Sequence, residues 1–167
     1  MKIASIEAIP LNIPFAVGGD NAGWDVDFFR GLDTVLVRVE TDTGIVGWGD
    51  AFAYNCRRAV QAAVEDMVAP IAIGHDAADI EGLRYKAQQG LHLFGRYGIT
   101  MFALSGLDIA LWDIAGKVAG KPLHALLAAG AADAVPAYAS LFRYNDPDVV
   151  AEQTADAMTQ GYGYIKL

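Results

Sequence analysis

The sequence predicts an α+β domain over residues 1–133, followed over residues 134–167 by the beginning of a parallel β/α structure, either a sheet or a barrel. The first part combines a three-stranded antiparallel meander with amphipathic helices. The second part is a strand, a helix and a strand, which together form one right-handed βαβ unit. A lone parallel pair of strands cannot cover its own faces, so we expect the parallel structure to be incomplete within this sequence.

The meander is predicted from alternating apolar residues. Residues 2–15 place their isoleucines and leucine at mostly alternating positions, and their two prolines confine the segment to a sheet edge or to strand ends. The stretch "TVLVRVETDTGIVGWGDA" predicts a hairpin, with the turn at "TDTG". The segments 17–31 and 49–57 lack a clean period, and we interpret both as loops that follow strands.

Helices are predicted from apolar residues at steps of three and four. We expect the first helix to end at Pro70 and the second to begin at an N-cap of Asp76 or Asp79. The third and strongest helix ends at Gly120, and a short helix follows Pro122. The predicted apolar stripe of the third helix consists of Leu104, Leu107, Leu111, Ile114 and Val118.

The βαβ unit is predicted from a change of pattern after residue 133. "AVPAYASL" at residues 134–141 is typical of a strand, and "DPDVVAEQTADAMTQG" is typical of a helix with Asp146 as N-cap and Pro147 at the first helical position. Gly161 closes that helix, and "YGYIKL" begins the next strand.

Composition excludes several classes of function. The net charge of −8 and the pI near 4.6 would repel nucleic acids and anionic membranes. No signal peptide is recognisable, and no uninterrupted apolar run approaches the ~18 residues of a membrane span. Cys56 is the only cysteine, which excludes an internal disulfide and fits a reducing compartment. We therefore expect a cytoplasmic protein that binds neither nucleic acid nor membrane.

Local motifs give little chemistry. The metalloprotease, phosphate-loop and nucleophile-elbow motifs are missing, and the three histidines lie far apart in sequence, so we expect no metal site here. Asp108 falls on the apolar stripe of the third helix, which predicts a structural tether to a neighbouring segment. Asp113 and Lys117 are four residues apart and are expected to form a surface ion pair.

Two features remain as candidates for binding or catalysis. The predicted loops carry aromatic residues, Trp24 in the first and Phe52 and Tyr54 in the second, which either bind a ligand or pack the loops down. In "YIKL", alternation places Ile165 and Leu167 on one strand face and sends Lys166 to the other. In a barrel that other face lines the interior, although a strand-end lysine can equally reach solvent.

The block "ALSGLDIALWDIAGKVAGKPLHALL", with "TDTGIVGWGDAF" before it and "GYGYIK" after it, resembles the enolase superfamily, in its mandelate racemase and muconate lactonizing enzyme group. The resemblance implies that residues 1–133 are an α+β capping domain and that residues 134–167 begin a TIM-like (β/α)7β barrel. It also implies an enzyme that removes the proton α to a carboxylate and stabilises an enediolate on Mg2+. The metal ligands of such enzymes would lie beyond residue 167.

The resemblance also assigns residues. The segments 17–31 and 49–57 look like the two cap loops that select substrates, with Trp24 and Tyr54 contacting the substrate and Asp20 and Phe52 behind them. Lys166 matches the first lysine of the family's K-x-K motif. Its implied role is to neutralise the substrate carboxylate and to lower the pKa of a base two residues further on.

Among the reactions that the resemblance implies, we favour dehydration of an acid sugar, because the aspartates around Trp24 suit a polyhydroxylated substrate. Racemisation or epimerisation and cycloisomerisation are the alternatives. The rival from another class is a non-catalytic ligand-binding or oligomerising α+β module. We expect a small carboxylate substrate, a homo-oligomer, and no α-proton exchange by residues 1–167 alone.

Overall fold

The computed structural model describes residues 1–14, 31–132 and 134–167. The chain divides into two compact units, the first containing Met1–Ile13 and Leu32–Ala131 and the second containing residues 134–167. The strands are β1 (Ile3–Pro14), β2 (Gly31–Thr41), β3 (Val46–Phe52), β4 (Ala139–Ser140) and β5 (Ile165–Lys166). The helices are α1 (Arg57–Ala62), a π-helical segment (Ala63–Val68), α2 (Ala69–Ala72), α3 (Ile80–Gly90), a 3-10 turn (His92–Phe94), α4 (Ile99–Ala119), α5 (Leu123–Leu127) and α6 (Pro147–Thr159).

The first unit contains the predicted meander, with strand order β1-β2-β3. β2 and β3 pair antiparallel, with Thr34 opposite Phe52 at one end and Glu40 opposite Val46 at the other. Alternate residues of β2 are buried, and the side chains of Val35, Val37 and Val39 are all inaccessible to solvent. The alternating valines that predict the hairpin therefore point into the core, and the residues between them lie on the opposite face of the sheet.

The predicted third helix is α4, and it supplies much of the core. Leu104, Leu107, Leu111 and Ile114 are buried, whereas the prediction for Val118 was wrong, because that side chain is 57% exposed in the last turn. The helix ends at Gly120 in the left-handed conformation. α4 has the length and composition that could cross a membrane, but its buried residues belong to the core of this unit.

Glycines allow α4 to approach β3 closely. A Cβ added at Gly49 would overlap the backbone carbonyl of Gly106, and one added at Gly47 would overlap the carbonyl of Ala110. In the opposite direction, a Cβ at Gly106 would lie 2.6 Å from a methyl of Val37. The glycines of "GWG" and "LSG" in the sequence are thus requirements of helix–sheet packing.

The predicted end of the first helix at Pro70 was wrong. α1, the π-helical segment and α2 follow one another without a break, and Pro70 lies in the first turn of α2. At this point the helix changes from π-helical to α-helical turns, with the N–H of Ala69 bonded to the carbonyl of Val64, and it ends at Ala72, two residues after Pro70. The next helix begins as predicted, since the side chain of Asp79 accepts a 3.0 Å hydrogen bond from the backbone N–H of Gly82.

The second unit contains the predicted βαβ connection. β4 and β5 pair parallel, and α6 lies between them in sequence. The Asp146 carboxylate caps α6 by accepting a 2.9 Å hydrogen bond from the N–H of Asp148, and Pro147 is the first helical residue. β4 covers only Ala139–Ser140, which is shorter than the predicted strand, because strand pairing here is limited to two residues of each strand.

Candidate functional site

The first candidate is Lys166, on the last paired position of β5. Its register partner on β4 is Ser140, and the backbone N–H of Leu141 donates a 2.9 Å hydrogen bond to the Lys166 carbonyl. The Lys166 side chain is exposed, while the preceding Ile165 is partly buried and the following Leu167 is 69% exposed. Ser140 was not singled out from the sequence, because only the register of β4 against β5 places it beside Lys166.

The second candidate is the segment with Phe52 and Tyr54. The prediction that residues 49–57 are irregular was wrong, because β3 continues to Phe52 and only residues 53–56 form a turn. The ring of Phe52 lies between two others, with centroids 4.7 Å from Tyr54 and 4.8 Å from Phe102 of α4. Phe52 and Tyr54 are 48% and 42% exposed, so both rings also face solvent.

A polar cluster lies at the base of this turn. The Asp33 carboxylate is only 6% exposed, and it accepts a 2.7 Å hydrogen bond from Asn12 Nδ2 and pairs with the guanidinium of Arg57. Burial raises the pKa of the neighbouring Cys56 thiol, and the negative charge of Asp33 raises it further. No sequence pattern indicates this cluster, because Asp33 and Arg57 are 24 residues apart and neither falls in a motif.

Asp20 and Trp24, the other two predicted substrate contacts, lie outside the described residues. Their roles and those of Tyr54, Phe52 and Lys166 stay predictions. The structure brings Phe52 and Tyr54 together in the first unit and places Lys166 in the second.

Within residues 1–14, 31–132 and 134–167, no three histidine, cysteine, aspartate or glutamate side chains are close enough to hold a metal ion. A magnesium site would need several oxygen ligands, so the described residues do not fit the ion.

Asp108 is a carboxyl group on the apolar side of α4. It is half-buried beside Leu104 and Leu107, and burial raises its pKa, with Arg84 of α3 acting against that rise and Glu81 adding to it. No charged group of the described chain pairs with it within 4.0 Å. The tether that the sequence predicted for Asp108 is therefore not an ion pair.

The folds and motifs described above are those of a known N-terminal domain. The model for the mandelate racemase/muconate lactonizing enzyme N-terminal domain matches residues 30–128. The chain belongs to this family of the enolase superfamily. The resemblance seen in the sequence and the predicted capping-domain fold are thereby confirmed.

Two curated relatives are acid-sugar dehydratases or members of such a family. An arabinonate dehydratase of Saccharolobus solfataricus is 36% identical over 139 residues, which cover 81% of this chain and 37% of the relative. A D-galactonate dehydratase family member of a Streptomyces species (strain SPB074) is 40% identical over 140 residues, covering 83% of this chain and 31% of the relative. The chain thus spans about a third of the length of these relatives.

Solved structures agree with this assignment. An enolase-superfamily member from Polaromonas sp. JS666 superposes with a TM-score of 0.87 at 33% identity, over 100% of this chain and 44% of that chain. A mandelate racemase/muconate lactonizing protein from Paracoccus denitrificans, complexed with magnesium, gives a TM-score of 0.66 at 32% identity, over 83% of this chain and 33% of that one. Members of the enolase superfamily use Mg2+.

Proposed function

We propose that this enolase-superfamily chain is the N-terminal portion of a Mg2+-dependent acid-sugar dehydratase. The observation that carries the proposal is its similarity to dehydratases of arabinonate and, by family, of D-galactonate, each at 36% identity or more over about four fifths of the chain. The proposed reaction removes the proton α to the carboxylate, expels the β-hydroxyl as water, and yields a 2-keto-3-deoxy acid after the enol becomes a ketone. The metal ligands and the base would come from residues outside 1–167.

Within this chain, Lys166 is the proposed catalytic residue. Its ammonium group would neutralise the substrate carboxylate, which makes the α-proton easier to remove, because less negative charge then accumulates on one group. The position of Lys166 supports this role, since it lies on a strand that pairs parallel with β4, and the strands of (β/α) barrels carry the catalytic groups. Trp24, Tyr54, Asp20 and Phe52 are the proposed substrate contacts of the capping domain.

The test uses the full-length protein with Mg2+ and the arabinonate, galactonate and mannonate acids, and detects the 2-keto acid as its semicarbazone. We expect turnover of at least one acid, and we expect Lys166→Met to lower kcat/KM by roughly a hundredfold or more. The matched control is Lys121→Met, a lysine of the capping domain after α4. If none of the acids is dehydrated and any of them is racemised instead, the proposed dehydratase is wrong and the protein is a racemase of the same superfamily.

A second test uses residues 1–167 alone. We expect no α-deuteration of these acids in D2O with Mg2+, because the described residues gather no metal site. Rapid deuteration by this chain would show that it contains its own base and metal ligands, contrary to the proposal. Size-exclusion chromatography of the same sample tests the proposed homo-oligomer and the rival oligomerising module, both of which would elute ahead of a monomer of 17.8 kDa.

A further inference from the structure

Asp33 is the only charged residue that is buried in the part of the chain that the structure describes. A buried carboxylate is costly unless it is paired and hydrogen-bonded. Its partners therefore indicate what this residue does in the fold.

The two partners lie on elements other than the strand that carries Asp33. Asn12, near the end of β1, donates its 2.7 Å hydrogen bond to Oδ1 of Asp33, the third residue of β2. Arg57, the first residue of α1, donates to the same oxygen. One carboxylate oxygen thus joins the end of one strand, the start of the next and the start of a helix.

The turn between β3 and α1 directly precedes Arg57. Residues 53–56 are closed by a 2.9 Å hydrogen bond from the N–H of Cys56 to the carbonyl of Ala53, and Asn55 adopts a left-handed φ of 53°. No side chain caps α1 at Cys56. The ion pair of Arg57 with Asp33 is the side-chain contact that fixes the residue directly after the turn.

We propose that Asp33 is a positioning residue, which fixes the turn of residues 53–56 and with it Tyr54 by holding Arg57 at the start of α1. That this presents Tyr54 to a substrate rests on the proposed function. The fixing of the turn does not, and it is tested without any substrate.

Cys56 supplies a reporter inside the turn, because it is the only cysteine of the sequence. The carboxylate of Asp33 disfavours its thiolate. Asp33→Asn keeps the side-chain shape and the hydrogen-bonding oxygen but removes the charge, so it should lower the pKa of the thiol. Arg57→Gln leaves the carboxylate without its cation, so it should raise the pKa of the thiol.

The experiment measures two quantities on folded residues 1–167: the pH dependence of Cys56 alkylation by iodoacetamide, and the amide resonances of residues 53–56 in 15N–1H spectra. In Asp33→Asn we expect alkylation at pH 7.5 to be faster by roughly three- to tenfold, with shifted resonances of Tyr54 and Asn55. Arg57→Gln should alkylate more slowly and shift the same resonances. Asp66→Asn, which removes an exposed carboxylate from the π-helical segment, should change neither quantity.

Unchanged resonances of residues 53–56 in folded Asp33→Asn would overturn the proposal, as would a shift of the thiol pKa in the same direction in both variants. If Asp33→Asn does not fold, Arg57→Gln decides alone, and unchanged resonances in it overturn the proposal. Because neither measurement uses a substrate, failure of the acid-sugar assay would leave these results standing and would refute only the proposed function.

Discussion

The carboxylate of Asp113 accepts a 2.8 Å hydrogen bond from the backbone N–H of Trp48. The same carboxylate oxygen lies 2.6 Å from Lys117 Nζ, which also donates a 2.8 Å hydrogen bond to the backbone carbonyl of Val46. Trp48 and Val46 belong to β3, which forms one edge of the three-stranded sheet. Two side chains of α4 therefore satisfy backbone groups of an edge strand that would otherwise be open to pairing with another chain.

Asp113→Ala should lower the free energy of unfolding by about 1–2 kcal/mol, because it removes the acceptor of a backbone N–H as well as the ion pair. Lys117→Ala should lower the free energy of unfolding by less, roughly 0.5–1 kcal/mol, since the carbonyl of Val46 can accept a hydrogen bond from water instead. Urea titrations followed by circular dichroism measure both, with Asp66→Ala as the control for removing an exposed carboxylate. Equal and negligible effects of all three variants would mean that the pair is only the surface ion pair that the sequence predicted.

Gly49→Ala should destabilise the first unit by about 2 kcal/mol or more, because its methyl group would overlap the carbonyl of Gly106 and force α4 away from β3. Gly163→Ala is the matched control, since a Cβ there would meet no atom within 4 Å. Thermal and urea unfolding of the two variants are compared with the unchanged chain. A Gly49→Ala variant as stable as Gly163→Ala would show that the close approach of helix and strand is not needed.

Much of the fold could be predicted from the sequence because its signals are local. The alternation of Val35, Val37 and Val39 and the period of α4 each state which face is buried, and the structure buries those faces. The predicted cap at Asp146 is likewise a contact within one turn of chain. Where a contact joins residues that are close in sequence, the residue types alone can predict it.

Some features cannot be predicted because a residue distant in sequence determines them. Phe52 was assigned to a loop, but its pairing with Thr34 of β2 keeps it in a strand. The junction of Asp33 with Arg57 and the contact of Asp113 with Trp48 span 24 and 65 residues, and neither follows a known motif. Such contacts become visible only in the packed structure.

Asp108 should make stability depend on pH. Its folded-state pKa is raised, chiefly by burial, so the folded chain holds the proton more tightly than the unfolded chain. The contribution of Asp108 to stability is then fully present below the unfolded pKa of about 4 and is lost as the pH rises through the folded pKa.

Asp108→Asn should therefore be more stable than the unchanged chain at pH 7, and the difference should shrink as the pH falls toward 4. Urea midpoints at several pH values between 4 and 7 give the difference. Asp66→Asn reports the general effect of removing one charge from a chain of net charge −8. A difference for Asp108→Asn that stays constant with pH, or grows as the pH falls, would contradict the assigned direction.

The rings of Phe52 and Tyr54 lie 4.7 Å apart and are tilted by 34°. If the proposed function holds, variants at these two positions separate substrate contact from structural support. Tyr54→Phe removes only a hydroxyl and keeps the ring beside Phe52, so it should raise KM for the accepted acid sugar by about three- to tenfold. Phe52→Leu should lower stability by about 1 kcal/mol as well as raise KM, because the ring of Phe52 also packs against Phe102. Steady-state kinetics of the full-length protein and urea titrations measure the two effects, with Tyr85→Phe on α3 as the control for losing an exposed tyrosine hydroxyl. If Tyr54→Phe and Tyr54→Leu both leave KM unchanged, Tyr54 does not contact the substrate, and the turn that carries it has a structural role alone.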